Sequence, residues 1–142
     1  MFWESDPKAA PDRIRGMMQI MLKSLIVGIV VTFATVQPLL AMTPVRSEAE
    51  LMQLLKGKDI TIRLFALRLS VLPDGTIMGR AAGRDVTGSW SWIDGYFCRE
   101  MFWGKREIEY NCQLVEWDGT SMRFTVDRGK GESADFRRRP RG

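Results

Sequence analysis

The chain has 142 residues, of which 45% are hydrophobic, a length and composition typical of one folded domain. Its 21 basic and 17 acidic residues leave a formal charge of +4, and this small excess argues against a broad nucleic-acid-binding surface. Histidine is absent, which removes the commonest general base near neutral pH and the commonest metal ligand. The composition therefore predicts no histidine-based catalytic triad, no metal site and no cofactor.

An apolar stretch without charge, residues 24–40, follows several basic residues and precedes Ala41. A basic flank, an apolar core and a small residue are typical of a secretory signal peptide. The core is shorter than the roughly 20 residues that a membrane-spanning helix needs, so we predict cleavage after Ala41, with an uncleaved anchor as the alternative. Residues 1–41 are thus an N-terminal extension and signal peptide, with Met17, Met18 and Met21 as alternative starts of translation.

A short capped helix is predicted over about residues 47–56, at the start of the mature domain. Ser47 precedes apolar residues at helical spacing, and Glu50 follows it by three positions, as in a capping box. Gly57 is expected to end this helix.

From Asp59 onward the apolar residues alternate, which indicates β-strands. A change of phase predicts a bulge near residues 64–66. Turn signals then recur at the spacing of short strands, at residues 73–75, 94–95, 104–106, 118–119 and 129–131. The pattern predicts a mainly β domain over residues 42–137, an antiparallel meander of about six strands curled into a small barrel-like sheet.

The two cysteines are predicted to form one disulfide. If residues 104–106 form a three-residue loop, counting outward along the hairpin places Cys98 directly opposite Cys112. A single disulfide suits a protein that leaves the cytosol, and we therefore expect a periplasmic or secreted location.

The same counting, applied to three-residue loops at 93–95 and 117–119, predicts which residues form the core. A two-residue turn at Asp118 and Gly119 is the rejected alternative, because it mixes polar and apolar residues on one face. The predicted core face collects Trp90, Trp92, Tyr96, Cys98, Phe102, Ile108, Tyr110, Cys112, Leu114, Met122, Phe124 and Val126.

Four residues of the opposite face are candidates for the rim of a ligand or partner site, namely Trp103, Trp117, Phe97 and Arg99. Cover by the N-terminal helix is the alternative for the tryptophans. Glu109 stands diagonally across from Arg99, and a cross-strand ion pair is expected there rather than a catalytic carboxylate. The basic run after Phe136 is expected to end as a solvated tail, residues 138–142.

The segment from Gly88 to Gly131 resembles a group of small secreted bacterial proteins with a Gly-x-Trp, Asp-Gly, Cys and second Cys pattern. The resemblance covers roughly Leu51 to Phe136 and implies a compact lipocalin-like or inhibitor-type periplasmic barrel. Some similar proteins carry the name dihydrodipicolinate reductase. That enzyme needs a dinucleotide-binding glycine loop and a histidine-containing motif, and this sequence has neither. The resemblance to it therefore assigns no functional residues in this chain.

The sequence thus predicts a periplasmic, non-catalytic binding or interaction module for a protein or an apolar small molecule. Nucleic acid is not expected as a partner, and membrane contact is expected only through an uncleaved signal. Two alternatives remain: an inhibitor of an exported hydrolase that acts through a flexible segment, residues 42–48, and an enzyme, either carboxylate-based or the reductase.

Overall fold

The computed structural model of the protein describes residues 40–142. Residues 1–39 of the predicted extension and signal peptide (residues 1–41), which include the alternative start sites, lie outside the described residues. A short edge strand β1 (Thr43–Pro44) and a helix α1 (Glu48–Leu55) come first. Eight antiparallel strands follow, β2 (Lys58–Ile62), β3 (Leu67–Val71), β4 (Thr76–Ala81), β5 (Arg84–Ile93), β6 (Tyr96–Trp103), β7 (Arg106–Trp117), β8 (Ser121–Thr125) and β9 (Ser133–Pro140).

These eight strands form a closed barrel. Each strand pairs with its neighbour in the chain, and β9 pairs with β2 to close the circle. The predicted mainly β class, the antiparallel meander and the barrel are therefore confirmed, with eight strands in place of about six. Two glycines inside strands allow the sheet to curl this tightly, because a Cβ at Gly79 or Gly88 would collide with the carbonyl oxygen of the adjacent strand.

Helix α1 begins where the sequence predicts. The Ser47 hydroxyl accepts a hydrogen bond from the Glu50 amide at 3.1 Å, and the Glu50 carboxylate accepts one from the Arg46 amide at 2.9 Å. The helix buries Leu51 and Leu55, which are 0% and 3% exposed, in the same core as the barrel strands.

The region around residues 64–66 reverses the chain, and the predicted bulge in one continuous strand is wrong. A single 3₁₀ turn, Arg63–Phe65, ends β2, and Ala66 adopts a left-handed conformation with φ of 45°. β3 then returns antiparallel to β2, with Ile60 opposite Leu69. This additional turn is one reason why the barrel has more strands than the sequence predicts.

The hairpin of β5 and β6 has a two-residue turn, Asp94 and Gly95, both with positive φ. The predicted three-residue loop is wrong, and Trp90 therefore faces Arg99 rather than Cys98. Because successive strand residues point to opposite faces, this one-residue difference exchanges the inner and outer faces of β6.

The disulfide between Cys98 and Cys112 is confirmed, with a Cα–Cα distance of 3.9 Å. The loop between β6 and β7 has two residues, Gly104 and Lys105, and not the predicted three. A bulge opposite Glu100 restores the register, so that the cysteines still face each other. They lie on the outer face of the barrel, and Cys98 is only 1% exposed.

Residues 118–120 lie between β7 and β8, and Trp117 pairs with Met122, so four residues (118–121) separate the last paired residues of the hairpin. The predicted loop at 117–119 and the rejected two-residue turn are both wrong in register, because Leu114 faces Thr125. The Asp118 carboxylate accepts hydrogen bonds from the amides of Thr120 and Ser121 at 2.8 and 2.7 Å, which stabilises the longer turn.

The core face predicted from the sequence is therefore partly wrong. Trp90, Met122 and Phe124 are buried as expected, whereas Tyr110 and Phe102 are on the outer face and are 58% and 43% exposed. The other predicted core residues on the outer face are Tyr96, Cys98, Cys112 and Leu114. The interior instead receives residues that are absent from the predicted core face, namely Phe97, Arg99, Met101, Gln113 and Val115.

The C-terminal basic run is a strand rather than the expected solvated tail. β9 extends to Pro140 and pairs with Lys58 at the start of β2. The Arg138 guanidinium donates to the Leu54 carbonyl at 2.8 Å, and that of Arg141 reaches the Asp59 carboxylate at 3.0 Å.

The disulfide indicates an oxidising, extracytoplasmic compartment. Within residues 40–142, no helix has the length and apolar character needed to cross a membrane.

Candidate binding cavity

The two ends of the barrel differ. At one end, which we call the closed end, α1 and the Trp117 side chain cover the core, and Arg138 stacks on the Trp117 ring at 4.0 Å. The other end, which we call the open end, carries the turns that follow β2, β4 and β6 and the segment between β8 and β9. An internal cavity of about 400 Å³ extends from the middle of the barrel toward the open end.

The cavity is lined mainly by apolar side chains, from seven of the eight barrel strands. Its volume lies within the usual range for small-molecule sites, and eight-stranded barrels can hold one small ligand. The apolar wall includes Ile60, Ile62, Leu67, Leu69, Ile77, Phe97, Met101, Ile108, Phe124 and Phe136.

Arg99 is the charged side chain buried in this wall. It projects inward from β6 and is 8% exposed. One guanidinium nitrogen donates to the carbonyl of Glu109 at 2.6 Å. Burial lowers the pKa of Arg99 below its ordinary value, but a guanidinium remains charged in proteins. The cavity therefore contains a buried positive charge.

That charge has no acidic partner within the described part of the chain. The ion pairs among residues 40–142 join other arginines to Asp59, Asp85 and Asp135. The predicted ion pair between Arg99 and the Glu109 carboxylate is wrong, because Arg99 contacts the main chain of Glu109 instead. A buried cation without a counter-ion is unfavourable, and an anion that enters the cavity would relieve this cost.

The exposed residues Glu132 and Ser133 also line the cavity, and Gln113 adds a second buried polar group to the same wall. It is 9% exposed and lines the cavity from β7. Because Phe97 pairs with Gln113, and Arg99 with Asn111, Arg99 and Gln113 are diagonal neighbours, a relation that places Cα atoms about 7–8 Å apart. Long side chains at this separation can contact one ligand group together.

The barrel wall is incomplete beside Arg99. β8 pairs with β7 only over residues 114–117, so the first half of β7 lacks a strand partner on that side among residues 40–142. A distorted turn, α2 (Val126–Gly129), lies there instead, with Asp127 in a left-handed conformation. The Asn111 amide donates to the Asp127 carboxylate at 2.7 Å and its oxygen accepts from the Asp127 amide at 3.0 Å, which holds Val126 at the cavity.

The structure separates the four residues predicted to form a rim. Phe97 and Arg99 lie inside the barrel on the cavity wall. Trp103 lies at the open end, where its indole donates to the Ala81 carbonyl at 2.7 Å. Trp117 lies at the closed end beneath Arg138. They do not form a common rim.

The segment expected to act as a flexible inhibitory arm, residues 42–48, is part of the fold. Thr43 pairs with Trp117, and the Val45 amide donates to the Val115 carbonyl at 2.8 Å. Val45 is 2% exposed, so the predicted accessibility of this segment is wrong.

The sequence pattern places Arg99 outside the barrel, although one signal could have located it inside. Asp-Gly is the residue pair most typical of a two-residue hairpin turn. A two-residue turn at Asp94 and Gly95 places Arg99 opposite Trp90, on the inner face.

Comparison with protein-family models, curated proteins and solved structures finds no match for this chain.

Proposed function

We propose that this protein is a periplasmic, non-catalytic binding module that holds an apolar small molecule with an acidic head group inside its barrel. The observation that carries the proposal is Arg99, a buried arginine without a carboxylate partner among residues 40–142, on the wall of an apolar cavity. The secretory pattern of residues 24–40 and the disulfide support a periplasmic site of action.

The chemistry of the wall favours an amphiphile. Transfer of a hydrocarbon tail from water to the apolar wall contributes about 0.8 kcal/mol for each buried CH₂ group. A carboxylate at Arg99 adds a charge-assisted hydrogen bond worth about 1.5–3 kcal/mol. Gln113 can donate a further hydrogen bond to the same head group.

The proposal is tested by comparing dodecanoate with dodecanol, which share a tail and differ in the head group. Each is titrated into the protein below its own aggregation limit, with intrinsic tryptophan fluorescence as the readout. We expect both to bind and dodecanoate to bind about 10- to 100-fold more tightly, as the charged hydrogen bond implies. Equal affinities would refute the acidic head group, and a failure of both probes to bind would refute the internal site.

A further inference from the structure

Three neighbouring turns at the open end form one continuous surface, which we call the apical surface (residues 63–66, 80–85 and 104–107). Hydrogen bonds join the turns: the Ala82 amide donates to the Phe65 carbonyl at 2.9 Å, and the Gly104 amide to the Asp85 carbonyl at 2.8 Å. The three turns are therefore held side by side.

Two large apolar side chains project from this surface. Leu64 is 85% exposed and Phe65 is 57% exposed, on the 3₁₀ turn between β2 and β3. Turns normally carry small or polar residues, and neither side chain contributes to the barrel core. Their exposure is unfavourable in water and is relieved by insertion into an apolar medium.

The apical surface is also basic. It carries five basic and two acidic residues, an excess of three positive charges. One of the acids, Asp85, pairs with Arg80 at 3.4 Å. The basic residues are Arg63, Arg80, Arg84, Lys105 and Arg106.

We propose that the apical surface docks onto the surface of an anionic lipid bilayer. Apolar side chains surrounded by basic ones match the interfacial region of such a membrane, where Leu64 and Phe65 enter the acyl boundary and the basic residues approach the lipid phosphates. The sequence predicts membrane contact only through an uncleaved signal, and the apical surface is a different and independent contact. Docking does not require the proposed ligand.

The apical surface lies next to the cavity, so docking would bring the cavity close to the membrane. Ile62 and Leu67, which flank the exposed turn, both line the cavity. A protein docked in this way faces the membrane with its open end, so a lipid-derived molecule can pass between bilayer and cavity with little exposure to water.

The test is hydrogen–deuterium exchange on the protein recovered from the periplasm of an exporting host, with whatever N terminus it has. Exchange is measured with phosphatidylglycerol-containing vesicles, with phosphatidylcholine vesicles and without lipid. We expect slower exchange over residues 61–67, 80–85 and 103–107 with the anionic vesicles only, and no change at the closed-end turn, residues 92–97. This local readout distinguishes a contact of the apical surface from a contact of the N-terminal segment with lipid.

Two variants make the result specific. Leu64→Ser with Phe65→Ser should abolish the protection over residues 61–67, whereas Ile93→Ser, which removes a 41% exposed apolar side chain at the opposite end, should leave it unchanged. Protection that persists in the double variant, that is equal on phosphatidylcholine, or that is absent on both vesicles would overturn the proposal. Dodecanoate binding by the double variant, measured by fluorescence, tests the cavity separately.

Discussion

The closed and open ends of the barrel are built from the same strands but differ in packing and charge. At the closed end, the three strand turns each carry an aspartate (Asp74, Asp94 and Asp118), and α1 buries Leu51 completely. At the open end, the apical surface is basic, Leu64 and Phe65 are exposed, and the interior contains a cavity with a buried arginine. We infer from this difference that the closed end contributes more to the free energy of unfolding than the open end, whose cavity and exposed side chains are available for binding.

The largest effect is expected from Leu51→Ala. Leu51 is 0% exposed, and its truncation leaves a cavity in the closed end that should cost about 2–5 kcal/mol of unfolding free energy. Urea unfolding measures this loss. The matched substitution at the open end, Leu64→Ala, should change stability by less than about 0.5 kcal/mol because Leu64 is exposed. Similar losses in the two variants would contradict the assignment of stability to the closed end.

Loss of the disulfide should have the next largest effect on stability. Cys98 and Cys112 are 14 residues apart, and a crosslink that closes a loop of this size stabilises a fold by about 3 kcal/mol. The double variant Cys98→Ala with Cys112→Ala should therefore unfold at lower urea than the oxidised native protein. After treatment with a reductant, the two proteins should have similar midpoints. If the variant and the oxidised native protein have equal midpoints, the disulfide does not stabilise the fold.

The closed end also contains a buried acid that should make stability depend on pH. Asp59 is 5% exposed. Burial alone raises its pKa, but hydrogen bonds from Ser70 and Arg141 and the charges of Arg141 and Arg68 outweigh burial, so the pKa lies below its ordinary value of 3.8. The ionised carboxylate therefore stabilises the fold above that value, and this contribution is lost as the pH falls through the lower, folded-state pKa.

Asp59→Asn should cost about 2 kcal/mol at neutral pH, the value of charged hydrogen bonds. Urea unfolding at a series of pH values should show that the difference from the native protein shrinks below pH 3.8. As a control, Asp135→Asn removes the more exposed pair with Arg123, whose N–O distance is 2.7 Å, and should cost less than about 1 kcal/mol. A difference at Asp59 that does not vary with pH would refute the role of ionisation.

The smallest of these effects is the loss of the cap on α1. Ser47→Ala removes the hydrogen bond to the Glu50 amide and should cost about 1 kcal/mol, read from the urea midpoint. Ser47→Asp, which retains an acceptor, should restore most of this loss. If both variants unfold with the native midpoint, the helix end contributes nothing measurable to the closed end.

The elements predicted correctly from the sequence are those set by local chemistry. The cap at Ser47 and the turns at Asp94 and Asp118 each follow from residue types that favour one local structure. The positions of the turns can therefore be predicted from the sequence, but the number of residues in each turn cannot. The disulfide prediction is correct although the predicted loop is one residue too long, because the bulge opposite Glu100 adds the missing residue to β7.

The interior face of β6 is not predictable from periodicity because both of its faces contain apolar residues. Tyr96, Cys98 and Phe102 alternate with Phe97 and Met101, so periodicity alone does not decide which set is buried. The error of one residue at Asp94 and Gly95 then places Arg99 outside. A polar residue within an apolar strand is ordinarily evidence for the outer face, and the buried Arg99 is an exception to that rule.

The measurement that tests the internal acid-binding site most directly is a cycle of two proteins and two ligands. The native protein and Arg99→Met are each titrated with dodecanoate and dodecanol, and each free protein is unfolded in urea. We predict that Arg99→Met weakens dodecanoate binding by about 1.5–3 kcal/mol, leaves dodecanol binding nearly unchanged and does not lower stability, since it removes a buried charge without a carboxylate partner among residues 40–142. An equal loss for both ligands, or no loss for either, would contradict the assignment of Arg99 as the anion-binding residue.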